Sequence, residues 1–335
     1  MSAGAPGRRE QLVSVGLPAL TLLLTCCVAL LVAVPLVSHS DAAGTTTVQP
    51  DVVTRGSTIA LPGQSTPNGI ALHQGPGTPA GDSRVVRLTV GHRERGYLLL
   101  PALGMSGQRA ALLVVLHQDI GSARAVAEGL GLDALRRKGV TLAYPAGVGG
   151  SWNAGSCCGV ARSEGVDDVA FVDAVLDDVG RRVPVDPQRR ALLGYSGGGM
   201  LAYRVLCERH PDLVAAVEVS GSLESNCPDQ VTLPDLLSVH GALDGTIGLS
   251  KGIRVTHLGM TPRPVLSTLS EITARAACGP RTTADRRGAR YLHWDGCRGG
   301  STLDVQIVGD AGHGWDDIGA AGRAMPFLIE RLTRA

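Results

Sequence analysis

From residue 84 onward the chain alternates two patterns. Short apolar runs bounded by Gly, Pro and charged residues alternate with longer stretches whose apolar residues recur every three or four positions. The runs predict strands over 85–90, 96–100, 111–116, 140–144, 213–219, 236–240, 289–294 and 302–308, the first two as a candidate hairpin. Residues 111–116 are apolar at every position, as a strand buried on both faces requires. The periodic stretches predict helices over 122–137, 166–179, 197–209, 267–277 and 322–333. In the second of these, Val169, Val172, Leu176 and Val179 share one face. Asp167 and Asp168 fall in its first turn, where the helix dipole favours acids, and are read as structural rather than as metal ligands. A loop over 147–165 precedes that helix. Alternation of strands and helices predicts one α/β domain over 84–335, with a mostly parallel sheet covered on both faces.

The first 83 residues read differently. Arg8 and Arg9 precede a stretch from Gln11 to Ser40 with no Asp, Glu, Lys or Arg, nearly all apolar between Leu12 and Val37. That run exceeds the ~7–15 residues of a signal-peptide core and reaches the ~20 that span a bilayer. Residues 1–40 are therefore expected to be a signal-anchor, with Pro35, Ser38, Ser40, Ala42 and Ala43 marking a cleavable signal peptide as the alternative. Either reading sends the domain outward, with the arginines on the cytoplasmic side. Residues 41–83, rich in Thr, Gly, Pro and Ser, read as a flexible linker. The expectation is an extracellular or cell-surface protein, secreted or held by a single N-terminal transmembrane helix.

Composition narrows this. A net charge of +1 with no basic block gives no footprint for nucleic acid. Cys26 and Cys27 lie in the apolar run; Cys157, Cys158, Cys207, Cys227, Cys278 and Cys297 lie in the domain. An even number in an exported domain points to disulfides. Cys278 and Cys297 flank a short polar segment and a predicted strand, and are expected to pair. Cys157 and Cys158 would then pair with Cys207 and Cys227, in either order. No Cys-x-x-Cys occurs and no histidine sits at ligand spacing, so neither a metal nor another cofactor is expected.

The chemistry centres on Leu192-Leu193-Gly194-Tyr195-Ser196-Gly197-Gly198-Gly199. Apolar residues run into Gly-x-Ser-x-Gly and a helical pattern follows, the context of a serine displayed on a sharp strand-to-helix turn. A serine hydroxyl needs a base to take its proton, and the base needs a carboxylate to fix its tautomer. Asp244 follows the strand ending at His240, and His313 follows the strand over 302–308, which gives the order Ser, Asp, His. Asp310 and Asp295 are second choices for the acid; His117 and His240 are read as structural. The amides of Gly197 and Asp119 are the candidate oxyanion donors, Gln118 lying beside the latter.

Further motifs are Trp152-Asn153-Ala154-Gly155-Ser156-Cys157-Cys158-Gly159, Val166-Asp167-Asp168-Val169, His240-Gly241 ahead of Asp244, and Gly312-His313-Gly314-Trp315. On these, residues from about 84 to 320 resemble the secreted esterase family that groups polyhydroxybutyrate depolymerases with feruloyl and acetylxylan esterases. The resemblance implies an α/β-hydrolase fold and ester hydrolysis through an acyl-serine, without metal. Substrates would be short-chain esters, polyester oligomers or acylated polysaccharides. Trp152 and Trp315 are read as lining an acyl or aryl pocket, with core packing as the equal alternative. Three departures stand out: His117-Gln118 followed by Asp119 where relatives have His-Gly, no Pro-Tyr after Asp244, and no tryptophan before Cys278. A carboxylate beside an oxyanion site motivates a rival reading, a catalytically weak membrane-tethered binding protein on the same fold. A serine peptidase is a third.

Overall fold

The structure is a computed structural model that describes residues 82–209 and 212–334. The expected N-terminal apolar helix, and the linker up to residue 81, lie outside the described residues. Among the described residues ten strands form one sheet: β1 (Arg84–Val90), β2 (Arg93–Leu100), β3 (Ala110–Leu116), β4 (Val140–Pro145), β5 (Val185–Tyr195), β6 (Ala215–Val219), β7 (Asp235–Gly241), β8 (Thr282–Arg286), β9 (Ala289–Trp294) and β10 (Leu303–Val308). Their order is β1-β2-β4-β3-β5-β6-β7-β10-β9-β8. The six central strands, β4 to β10 in that order, run parallel. Antiparallel pairs close both margins, β1-β2 on one side and β9-β8 on the other.

Helices cover both faces, as the alternation predicted. They are α1 (Ala123–Gly129), α2 (Gly159–Ser163), α3 (Asp168–Arg182), α4 (Gly197–Glu208), α5 (Val265–Arg275) and α6 (Ala320–Leu332). Successive side chains of a strand point to opposite faces, and β3 shows the result. Leu112, Val114 and Leu116 join the core beneath α3, α4 and α5. Ala111, Leu113 and Val115 join the core beneath α1 and α6. Such a sheet delivers its loops to the carboxyl ends of the parallel strands, where functional groups gather.

The expected helix over 122–137 is two elements. Gly131 stands at φ 69°, ending α1, and a 3-10 helix runs from Leu132 to Lys138. Strand β8 has no sequence counterpart: its Thr-Thr-Ala-Asp-Arg lies on the sheet margin with both faces largely exposed, so no apolar period marks it. The loop over 147–165 contains the short helix α2.

Disulfide pairing is corrected. Cys278 pairs with Cys297 as expected. The other four do not cross-pair: Cys157 bonds its neighbour Cys158, and Cys207 bonds Cys227. Cys207 ends α4 within 4.9 Å, Cα to Cα, of Cys227 in the loop after β6, inside the span a disulfide bridges. Among the described residues, no helix is long and apolar enough to cross a membrane, and no cluster of His, Cys, Asp and Glu could hold a metal ion.

Candidate active site

Ser196 sits between β5 and α4 at φ 53°, ψ −116°, a conformation costly for any residue but glycine. Close backbone contacts enforce the turn. A Cβ on Gly194 would lie 2.1 Å from the Gly198 carbonyl oxygen, and one on Gly198 would lie 2.3 Å from that of Leu116. The Ser196 amide donates to Val219 O at 2.8 Å, tying the turn to β6.

Two later loops reach this serine. His313, after β10, places Nε2 2.8 Å from Ser196 Oγ and Nδ1 2.7 Å from Asp244 Oδ2. A carboxylate oxygen only accepts, so Nδ1 carries the proton and Nε2 accepts from the serine hydroxyl. Asp244 also accepts the amides of Thr246 (2.7 Å) and Ile247 (2.8 Å) on Oδ1. Burial raises its pKa, but hydrogen bonds from His240 and His313 outweigh that and hold the carboxyl well below its usual range. The two loops meet without side chains between them: a Cβ on Gly241 would fall 2.0 Å from the Gly312 carbonyl oxygen. The Tyr195 hydroxyl accepts the Trp315 amide at 3.2 Å, fastening the loop beyond His313 to the strand that carries Ser196.

The expected oxyanion groups also converge. The first amide of α4, on Gly197, has no intrahelical acceptor, and a Cβ on Gly197 would come within 3.0 Å of the Asp119 amide nitrogen. The Asp119 carboxyl lines the same cavity; burial pushes it above the usual carboxylate range, opposed by the nearby His257. The cavity has a volume of about 170 Å³, walled by Cys158, Met200, Leu258 and His257 among others around Ser196 and His313.

Neither tryptophan lines this cavity. Trp152 is 1% exposed and Trp315 is 5% exposed. Trp152 packs on the His117 ring and donates Nε1–H to the His117 carbonyl at 2.8 Å. Trp315 packs edge-on against Tyr195. Their large apolar surface is used in the core, which replaces the expectation of a pocket lining. His117 is structural as read: Nδ1–H donates to Gln118 O at 2.7 Å and Nε2 accepts the Gly147 amide at 2.9 Å. Burial lowers it to about 4, so it stays neutral. Met200 and His257 were not singled out in the sequence, and Cys158 was read there only as a disulfide cysteine. Met200 enters from the first turn of α4, while Cys158 and His257 depend on how the loops over 150–160 and 250–260 fold back, which periodicity does not encode.

A mostly parallel sheet with a serine at the β5–α4 turn and a histidine and an acid on later strand-end loops is the α/β-hydrolase fold. Sequence relatives of the chain carry the names of esterases. A protein named "Putative esterase NocK" from Nocardia uniformis is 34% identical over 222 residues, 63% of this chain and 61% of its own length. Feruloyl esterase C of Emericella nidulans is 29% identical over 127 residues, 38% of this chain and 44% of the relative. The match thus spans about three-fifths of the first relative and under half of the second. The acetyl xylan esterase from Aspergillus awamori shares the fold with a TM-score of 0.54 at 13% identity, over 73% of this chain and 98% of that structure. No protein-family profile matches the chain.

Proposed function

We propose that the protein is an exported serine carboxylic-ester hydrolase. The observation that carries the reading is the hydrogen-bonded line from Ser196 Oγ through His313 to Asp244. In this reading His313 Nε2 takes the hydroxyl proton as Ser196 Oγ attacks the ester carbonyl. Asp244 fixes the Nδ1–H tautomer and stabilises the imidazolium. The Gly197 and Asp119 amides receive the oxyanion. Collapse of the tetrahedral adduct transfers the proton from His313 to the departing alcohol and leaves acyl-Ser196. Water, deprotonated by His313, then releases the acid and restores the serine.

Cys158, Met200 and Leu258 give the cavity an apolar wall against which an acyl group can rest. Short-chain esters, polyester oligomers and acylated polysaccharides, feruloylated ones among them, are the proposed substrates, and the feruloyl esterase relatives support the last. Export is supported by the three disulfides, which need an oxidising compartment, and by the apolar run over 12–37. The Asp119 carboxyl favours the second reading, a weak catalyst kept for binding.

One experiment separates them. The full chain is treated with a fluorophosphonate probe and with p-nitrophenyl esters of rising acyl length, beside Ser196→Ala. Labelling and turnover, lost about 10⁴-fold in Ser196→Ala, are expected. Folded wild-type protein that neither labels nor turns over would leave the binding reading in place.

A further inference from the structure

Asp244 serves two imidazoles. Besides His313 Nδ1, its Oδ2 lies 3.2 Å from His240 Nε2, and both His240 and the Asp244 side chain are shut off from solvent. The same Nε2 lies 2.8 Å from the Ile247 carbonyl oxygen. A carbonyl and an ionised carboxylate are both acceptors, so His240 Nε2 must carry a proton, shared between them. On the other ring nitrogen the situation is unusual: Nδ1 is buried without a hydrogen-bond partner.

The charged groups facing His240 come from three sides. Asp244 follows it in the loop after β7, and His313 stands beyond Asp244. From β6, Glu218 lies fully buried beneath the serine turn, hydrogen-bonded by Ser238 Oγ at 2.9 Å, by the Tyr203 hydroxyl at 3.2 Å and by the Gly221 amide. Burial opposes a charged His240, but the hydrogen bond to Asp244 and the neighbouring Glu218 outweigh it, holding the proton above the ordinary imidazole range. Two buried carboxyls thus bracket one imidazole, and only one of them touches the candidate base.

We propose that His240 is a positioning residue for the Ser196 reaction. By donating to the carboxylate oxygen that holds His313, it restrains how strongly Asp244 draws a proton onto His313, and so fixes the pH at which His313 becomes a free base. The inference rests on the hydrolase reading. Without the His240 donor, Asp244 concentrates its negative charge on His313 and stabilises the imidazolium. The base is then released only at higher pH. A merely structural His240, tying the turn to Ile247 O, would lower stability or kcat without moving that pH.

The test compares the full chain with His240→Leu, which removes the donor, and His240→Gln, which keeps an N–H at similar reach. The pH profile of kcat/KM for p-nitrophenyl acetate is expected to show its acid limb displaced upward by about half a unit or more in His240→Leu. His240→Gln should recover at least half of the displacement. A limb that stays in place in an active His240→Leu enzyme overturns the proposal. Selective ¹⁵N-histidine labelling of wild type gives a second readout that needs neither a tolerated variant nor turnover. His240 should show a protonated Nε2 at neutral pH, and an unprotonated one also overturns the proposal. Absence of any ester turnover would instead strike the hydrolase reading, while the ¹⁵N signal still reports on His240.

Discussion

Trp152 donates its indole N–H to the carbonyl of His117 at 2.8 Å, with the two rings 4.5 Å apart. This bond joins the loop of the Cys157–Cys158 pair to the end of β3, two residues before the Asp119 amide. Trp152→Phe keeps most of the apolar volume and leaves the buried carbonyl without its donor. A loss of about 1–3 kcal/mol in unfolding free energy is expected. Because the Asp119 amide would also drift, kcat should fall further than KM rises. Denaturant unfolding and steady-state kinetics on the same variant measure both.

His117 ties acid sensitivity to the same corner. Its folded form is neutral down to about pH 4, whereas an unfolded histidine takes up its proton near 6.5. Between those values the unfolded chain binds more protons, so this residue's contribution falls as pH drops from about 6.5 to 4, by about 3 kcal/mol in all. Buried carboxyls such as Asp119 and Glu218 are raised and act in the opposite sense. The difference between wild type and His117→Gln isolates the histidine. Glutamine can still donate to Gln118 O and accept from Gly147, so the wild-type stability advantage should be largest near pH 7 and shrink toward pH 4.

Arg95 and Asp168 form a buried ion pair at 2.7 Å behind the site, and Asp168 also accepts the Asn153 amide at 2.7 Å. Burial shifts both toward their neutral forms more than their mutual attraction restores them. Desolvation therefore exceeds the pair's attraction, and the pair adds little net stability. Breaking it is another matter: Asp168→Ala strands a buried guanidinium and should cost about 3–5 kcal/mol. For a domain of this size that is roughly 6–20 °C in Tm. The double change Arg95→Met with Asp168→Leu should cost less than Asp168→Ala alone, a comparison that calorimetry can make.

Asp119 sets a carboxyl in the cavity where the proposed oxyanion forms. Asp119→Asn keeps the backbone amide and removes the charge. At about 4 Å a unit charge opposes another by about 1 kcal/mol in bulk water and about 4 kcal/mol in a partly buried site, so kcat/KM above neutral pH should rise at least roughly fivefold. An unchanged or lowered value would show that the carboxyl contacts substrate to advantage.

Much of this was legible in the chain because it is local. Apolar runs marked the buried strands, and Gly-x-Ser-x-Gly after such a run located Ser196. Asp244 and His313 were singled out because each follows a strand in the order Ser, Asp, His, and their side chains meet beside Ser196. What escaped depends on distance or on margins. The pairing of Cys207 with Cys227 required knowing that the end of α4 passes the loop after β6. Trp152 and Trp315 read as pocket walls because a tryptophan's type says nothing about which side of a loop it faces. The edge strand β8 carries no period, having no core to face. Asp168 was read as a helix-start acid, and its partner Arg95, 73 residues away, was beyond local pattern.

The glycine-to-glycine contact between residues 241 and 312 has a bearing on how this scaffold can change. With no side chain between them, the loops of Asp244 and His313 behave as a single clamp, and even an added methyl group at 241 would pry acid from base. Variation aimed at new esters therefore belongs on the opposite bank, in the segment around His257 and Leu258 and at Met200. There the cavity can be reshaped while the distance between Asp244 and His313 is left alone.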